Sequence, residues 1–250
     1  MGRIAQRIQR RTAARNLRAN KRAEAAYVSA LRGIANDVAN QTMAWVRPRL
    51  DGRTDADKDT GVELEQHVLG LVLRTAERVG PAYDRMSGAV NATNKKGLRV
   101  VGVQALSDHR IAPEIARRRA ENVDLVVKAG RAYAQGVREV FDDPANDGLR
   151  VEELAAKLLK RGSVSASRAE LIARDQTLKL NGALTQIRQT NAGISSYVWS
   201  TSLDERVREE HAALEGQTFE WSSPPEPGHP GEDYQCRCTA IPVIEGLEGI

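Results

Sequence analysis

Two thiols and two imidazoles gather toward the C-terminal end of this 250-residue chain. Cys236 and Cys238 are its two cysteines, and His211 and His229 are two of its four histidines. On a strand, residues two apart point the same way, so Cys236 and Cys238 face one side and Arg237 the other. Adjacent thiolates with imidazoles in reach suit a tetrahedral zinc site. The paired CxxC knuckles of a standard zinc finger are absent. The same residues also read as two small buried hydrophobes beside hydrogen-bonded histidines, with redox or nucleophilic chemistry as a further option. A zinc ion would staple a small unit that has few aliphatic residues.

A second constellation precedes the thiols. Ser202 and Glu205 have capping-box spacing and predict a short helix running through Leu214, with Gly216 at its end. On that helix Asp204, Arg208 and His211 share a face, with Arg206 nearby. A histidine among carboxylates and arginines is a candidate general base for nucleic-acid cleavage. A helix held by a cap and internal ion pairs yields the same residues without catalysis. No nucleophile elbow, phosphate-cradling glycine loop or carboxylate cluster accompanies them, so no catalytic residue is assigned.

These side chains need a frame. Ser196–Ser200, Gln217–Trp221 and Cys236–Val243 read as strands. Ser222–Gly231, with four prolines and two glycines, reads as a loop. Upstream the apolar period is helical. It predicts a helix from Ala23 to Val46 stopped at Pro48, and a second through Val62–Val79 punctuated by Gly80-Pro81. A turn is expected at Asn91–Gly97, and Leu98–Val103 suits either a strand or a helix. A long helix restarts near Pro113 and ends at Asp142-Asp143-Pro144. Another spans Gly148–Arg161 with Gly162 as its stop. A further one opens at Ser167 with Glu170 as its capping partner. On that last helix Arg174 falls between Leu171 and Leu178, where it needs an acidic partner or snorkels at the stripe's edge.

Composition bounds the rest. Aromatics are only 4% of the chain, so the core is mostly Ala, Val, Leu and Ile, which suits helix-on-helix packing. The fold class expected is α+β and predominantly α-helical: a long helical N-terminal part, then a small C-terminal α+β domain with a short antiparallel sheet. No apolar run approaches the roughly 20 residues that span a bilayer, so no membrane association is expected. The first residues carry no signal core, and two cysteines make no disulfide framework, so a reducing compartment is expected. The formal net charge is +4, and its excess is concentrated at the start. Arg3, Arg7, Arg10, Arg11, Arg15, Arg18, Lys21 and Arg22 all precede the first acid, Glu24. Such an arm suits DNA, RNA or an acidic protein surface. It also suits a solvated terminus, because no aromatic is interleaved to stack on bases.

Read together, the motifs resemble a known family. Trp199-Ser-Thr-Ser-Leu-Asp204-Glu-Arg206-Val-Arg208-Glu-Glu-His211, then Leu214-Glu-Gly216, then His229-Pro230 and Cys236-Arg237-Cys238, are similar to the phage Mu protein F-like family of head morphogenesis proteins. The segment Ser167-Arg-Ala-Glu-Leu-Ile-Ala173-Arg174 resembles the helix that precedes this signature. Two departures stand out. Asp175-Gln176 follow Ala-Arg where the family often has Thr-Glu, and Gly231–Gln235 lengthen the link between His229-Pro230 and Cys236.

Charge and periodicity give a basic arm at 1–22 and a helical region at 23–119, and the resemblance implies a Mu protein F-like domain at 120–245. Within that domain, helices run to about 192 and a small α+β unit covers 194–245. It also implies a structural minor head protein of a tailed bacteriophage, not an enzyme, acting in head morphogenesis at or near the portal, with a part in DNA packaging or ejection. Its expected partners are portal, major capsid or scaffold proteins and packaged DNA. Its expected places are the virion and, during assembly, the host cytoplasm. The alternative is a nucleic-acid-processing or toxin-like effector enzyme using His211.

Overall fold

The computed structural model describes residues 3–50, 58–104, 110–146 and 149–244, with side chains from Arg10 onward except those of Lys58 and Val151. Six helices come first: α1 (Arg3–Leu17), α2 (Lys21–Leu50), α3 (Lys58–Ala76), α4 (Val79–Val100), α5 (Ile111–Asp142) and α6 (Val151–Asn191), with a 3-10 turn at Pro144–Asn146. Then come β1 (Ser196–Ser200), α7 (Glu209–Ala213), β2 (Thr218–Glu220) and β3 (Thr239–Pro242). The strands form one antiparallel sheet in the order β2-β1-β3. The expected fold class is the observed one.

The helices are longer than the sequence punctuation predicts, and two of them, α1 and α4, were not expected as helices. α6 runs through both Gly162 and Ser167. A Cβ on Gly162 would meet the Ala39 Cβ at 2.9 Å, so this glycine serves a close helix approach and not a stop. The Ser167 hydroxyl donates back to the Ser163 carbonyl at 3.1 Å, which is a mid-helix bond and not a cap. The turn expected at Asn91–Gly97 is helical within α4. Its buried stripe includes Tyr83, Met86, Val90, Asn94 and Leu98, and the buried asparagine disguised the period. α2 continues past Pro48 to Leu50, because Val46 and Leu50 are both buried and lie one turn apart. The helix start expected at Gly148 lies outside the described residues.

The chain divides into two compact units. One comprises the described residues of 26–84 and 119–173. Its core joins α2, α3, α5 and α6 through residues such as Val46, Leu64, Val68, Phe141, Leu154 and Leu158. The Tyr27 hydroxyl donates to Asn122 Oδ1 at 3.0 Å and its ring packs edge-on against Tyr83.

The other unit comprises the described residues of 1–25, 85–118 and 174–250. Its sheet is buried on both faces. Val198 and Ile241, paired across β1 and β3, pack with Ala13, Ala14 and Leu17 of α1 and with Leu98, Val101 and Val103. Tyr197 and Trp199, one residue to either side of Val198, face opposite to it and pack with Trp221, Cys236, Cys238 and Ala240. A polar network ties α4 to α6 in this unit: Asn94 donates to Thr185 Oγ1 at 2.8 Å, and Arg188 donates to Asn94 Oδ1 at 2.6 Å.

Candidate metal centre

Each residue of the thiol cluster is held by a different device. Trp199 sits in the middle strand, and its backbone binds the chain that follows α7: its N–H donates to the Gln217 carbonyl and its C=O accepts from Gly216 N–H, both at 2.8 Å. Gly216 has φ of 77°, the left-handed region where a side chain is strained, so the motif glycine makes this turn possible. The turn fixes α7 against the sheet, and with it His211, whose ring lies edge-on to Trp199 at 5.5 Å.

α7 is shorter than the capping-box spacing predicts. It begins after Arg208, with no side-chain cap, and Ser202 does not open it. Leu203 has φ of 56°, and Asp204 Oδ1 accepts from Arg206 N–H, so 203–206 form a turn where helix was expected. Asp204, Arg208 and His211 therefore do not share a helical face. Tertiary contacts replace it. Asp204 accepts two hydrogen bonds from Arg237, at 2.5 and 2.6 Å. Arg208 donates to Asp233 at 2.6 Å and to the Tyr234 carbonyl at 2.7 Å. Arg174 is half-exposed and lies 3.9 Å from Glu24, at the edge of its stripe.

His211, Cys236 and Cys238 converge. The ligand atoms of all three lie within 4.8 Å of one another, and all three residues are buried. The two sulfurs are 3.6 and 3.5 Å from His211 Nδ1. Zinc–sulfur and zinc–nitrogen bonds of about 2.3 and 2.0 Å, set at a tetrahedral angle, put sulfur and nitrogen about 3.5 Å apart. Both sulfur–nitrogen spacings thus match those of a tetrahedral zinc site. The other ring nitrogen, Nε2, lies 3.3 Å from Asp233 Oδ2, the side from which a carboxylate orients a metal-bound imidazole. A hydrogen bond from Cys238 draws the Cys236 thiol down to about 6, and the same bond together with burial pushes Cys238 far up. These residues make a His-Cys-Cys site compatible with zinc.

His229 does not join them. Its Nδ1 pairs with the Tyr197 hydroxyl at 2.9 Å, and its ring lies 4.8 Å from Trp221. Among the described residues no metal-binding group includes it. The loop after Pro230 brings Cys236 to His211 and leaves His229 in the aromatic cluster, where burial lowers its affinity for a proton.

Sequence reasoning missed two acids. Asp175, buried on α6, accepts from Gln235 N–H at 2.8 Å and so anchors the residue before Cys236. Its signal was visible as the acid that follows Ala173-Arg174. Asp233 lies in the segment that departs from the family pattern, and only the folded loop brings it to His211. Of the basic arm, Arg10, Arg11, Arg15, Lys21 and Arg22 are exposed, while Arg18 donates to the Ser202 carbonyl at 3.3 Å. The side chains of Arg3 and Arg7 lie outside the described residues.

Comparison with known proteins follows this geometry. Residues 135–241 match the family described as Phage Mu protein F like protein. Over that segment the chain is similar to the Phage Mu protein F like family. The matched segment holds the C-terminal part of α5, all of α6, the sheet and the His-Cys-Cys cluster. A protein of Haemophilus influenzae, named only "Uncharacterized protein", is 38% identical over 172 residues, covering 68% of this chain and 38% of the relative. The Minor head protein GP7 of Bacillus phage SPP1 is 27% identical over 149 residues, covering 54% of this chain and 45% of that protein. The chain spans less than half the length of the curated relatives it matches. No solved structure matches it significantly. No described helix is long and apolar enough to cross a membrane.

Proposed function

We propose that this Mu protein F-like chain is a structural minor head protein of a tailed bacteriophage, acting in head morphogenesis at or near the portal and in DNA packaging or ejection. The observation that carries the reading is the family match over 135–241, joined by the likeness to a minor head protein. Portal, major capsid or scaffold proteins are its partners, and the exposed arginines of α1 contact packaged DNA or an acidic capsid lining. It resides in the virion after assembly in the host cytoplasm. Counting its copies in purified heads and proheads, with pull-down against the portal protein, tests this. Absence from both particles overturns it.

The geometry of His211 supports a structural reading over a nuclease. One ring nitrogen faces two sulfurs, the other faces Asp233, and the residue is only 2% exposed. Little of the ring is left to take a proton from a substrate. In this reading zinc held by His211, Cys236 and Cys238 ties α7 to the chain entering β3.

A further inference from the structure

The three donors leave a tetrahedral metal one ligand short. Structural zinc sites are closed by four protein ligands, whereas sites with three keep a position for an exogenous group. Among the described residues no fourth donor joins His211, Cys236 and Cys238. The same three residues line a cleft of about 420 Å³, so a metal bound to them would border that space.

The cleft has a surplus of positive charge. Five cations line it, against one acid, Glu24. Three of the five are matched: Arg237 by Asp204, Arg208 by Asp233, and Arg174 by Glu24. Lys21 and Arg206 also line the cleft. Their charges act on Glu24 and on Asp204 respectively, but Glu24 is shared with Arg174, and the two oxygens of Asp204 accept from Arg237. Five cations against one acid in a cleft that the three metal donors also line favour an anionic oxygen ligand. A phosphate group offers several acceptor oxygens around one centre, more than a carboxylate's two; a backbone diester brings one negative charge to them and a small phosphate nearly two.

Resting on the zinc reading above, we propose that the metal at His211, Cys236 and Cys238 keeps its fourth position open to this cleft, and that a phosphate group binds there against Arg206 and Lys21. The group comes from a nucleic-acid backbone or from a small phosphate, and the chemistry of recognition is the same.

The test uses the full chain loaded with cobalt(II), whose visible ligand-field bands report coordination and whose near-ultraviolet charge-transfer band reports thiolate ligands. Titration with inorganic phosphate should shift the visible bands saturably while the charge-transfer band stays. Arg206→Gln, an exposed position, should retain cobalt and that band but weaken phosphate binding about tenfold, the loss of one charge-assisted contact. Acetate is the control for a carboxylate, and a short DNA duplex without terminal phosphates separates the sources. A shift with the duplex assigns the site to the nucleic-acid backbone; a shift with inorganic phosphate alone assigns it to a small phosphate. Visible bands that ignore phosphate, an equal response to acetate, or an unaffected Arg206→Gln variant overturns the phosphate proposal and leaves the metal site standing. Absence of thiolate charge transfer overturns the metal site itself.

Discussion

The two units are stabilised by different chemistry. The helical unit around Phe141 buries leucine, valine and aromatic side chains from four helices, and almost any apolar group of the right volume serves there. The sheet around Trp199 buries imidazole, thiol and phenol groups beside its aromatics, and each polar atom needs a particular partner. The first should respond to mutation in proportion to volume removed. The second should respond to the loss of single atoms and to metal.

The largest effect expected is in the helical unit. Phe141→Ala removes a fully buried ring and should cost about 3–5 kcal/mol, read from urea unfolding, with metal content unchanged. Loss of metal in this variant would break the contrast between the two units.

The histidines sharpen it. His211→Ala should abolish zinc binding in purified protein. His229→Ala should keep the metal but cost about 1–3 kcal/mol, because the buried Tyr197 hydroxyl loses its partner. Zinc at a hundredfold excess over its dissociation constant adds about 2.7 kcal/mol. Chelator should therefore lower the melting temperature of the parent and of His229→Ala, and leave His211→Ala where it is. Zinc lost in the His229 variant and kept in the His211 variant would reverse the assignment.

The smallest effect is at the rim of the cleft. The Arg237 guanidinium holds the Asp204 carboxyl below its ordinary value of 3.8. The folded pKa is depressed, so the stabilisation is complete above the unfolded value and is lost as pH falls through the folded one. Both side chains are about one-third exposed, so the contribution should be under about 1 kcal/mol. Asp204→Asn should flatten this part of the acid-unfolding profile, and an unchanged profile would show that the pair contributes nothing.

Much of the frame was legible in the residues. The strand at Ser196–Ser200 stands out because β-branched and aromatic residues interrupt a helical period. The long helices were legible as apolar stripes, but their ends were not. Gly162 and Ser167 are stop and start signals only when the local chain decides. Here Ala39 needs the missing side chain of Gly162, and the Ser167 hydroxyl finds a carbonyl one turn back. Asn94 hid a continuous helix because its partners, Thr185 and Arg188, lie about ninety residues away in sequence.

By itself the sequence determined that Cys236 and Cys238 stand two apart and that a Mu protein F-like signature surrounds them. Spacing and motif order are local properties, and they survive any arrangement of the rest. The strand expected from Cys236 begins only at Thr239, so the folded approach to β3, and not strand alternation, aims both thiols at His211. Only the tertiary structure decided which histidine joins the thiols. The choice depends on the path of the proline-rich loop, on the turn at Gly216, and on Asp175 anchoring Gln235. These are contacts between residues far apart in the chain, whose positions no local spacing encodes.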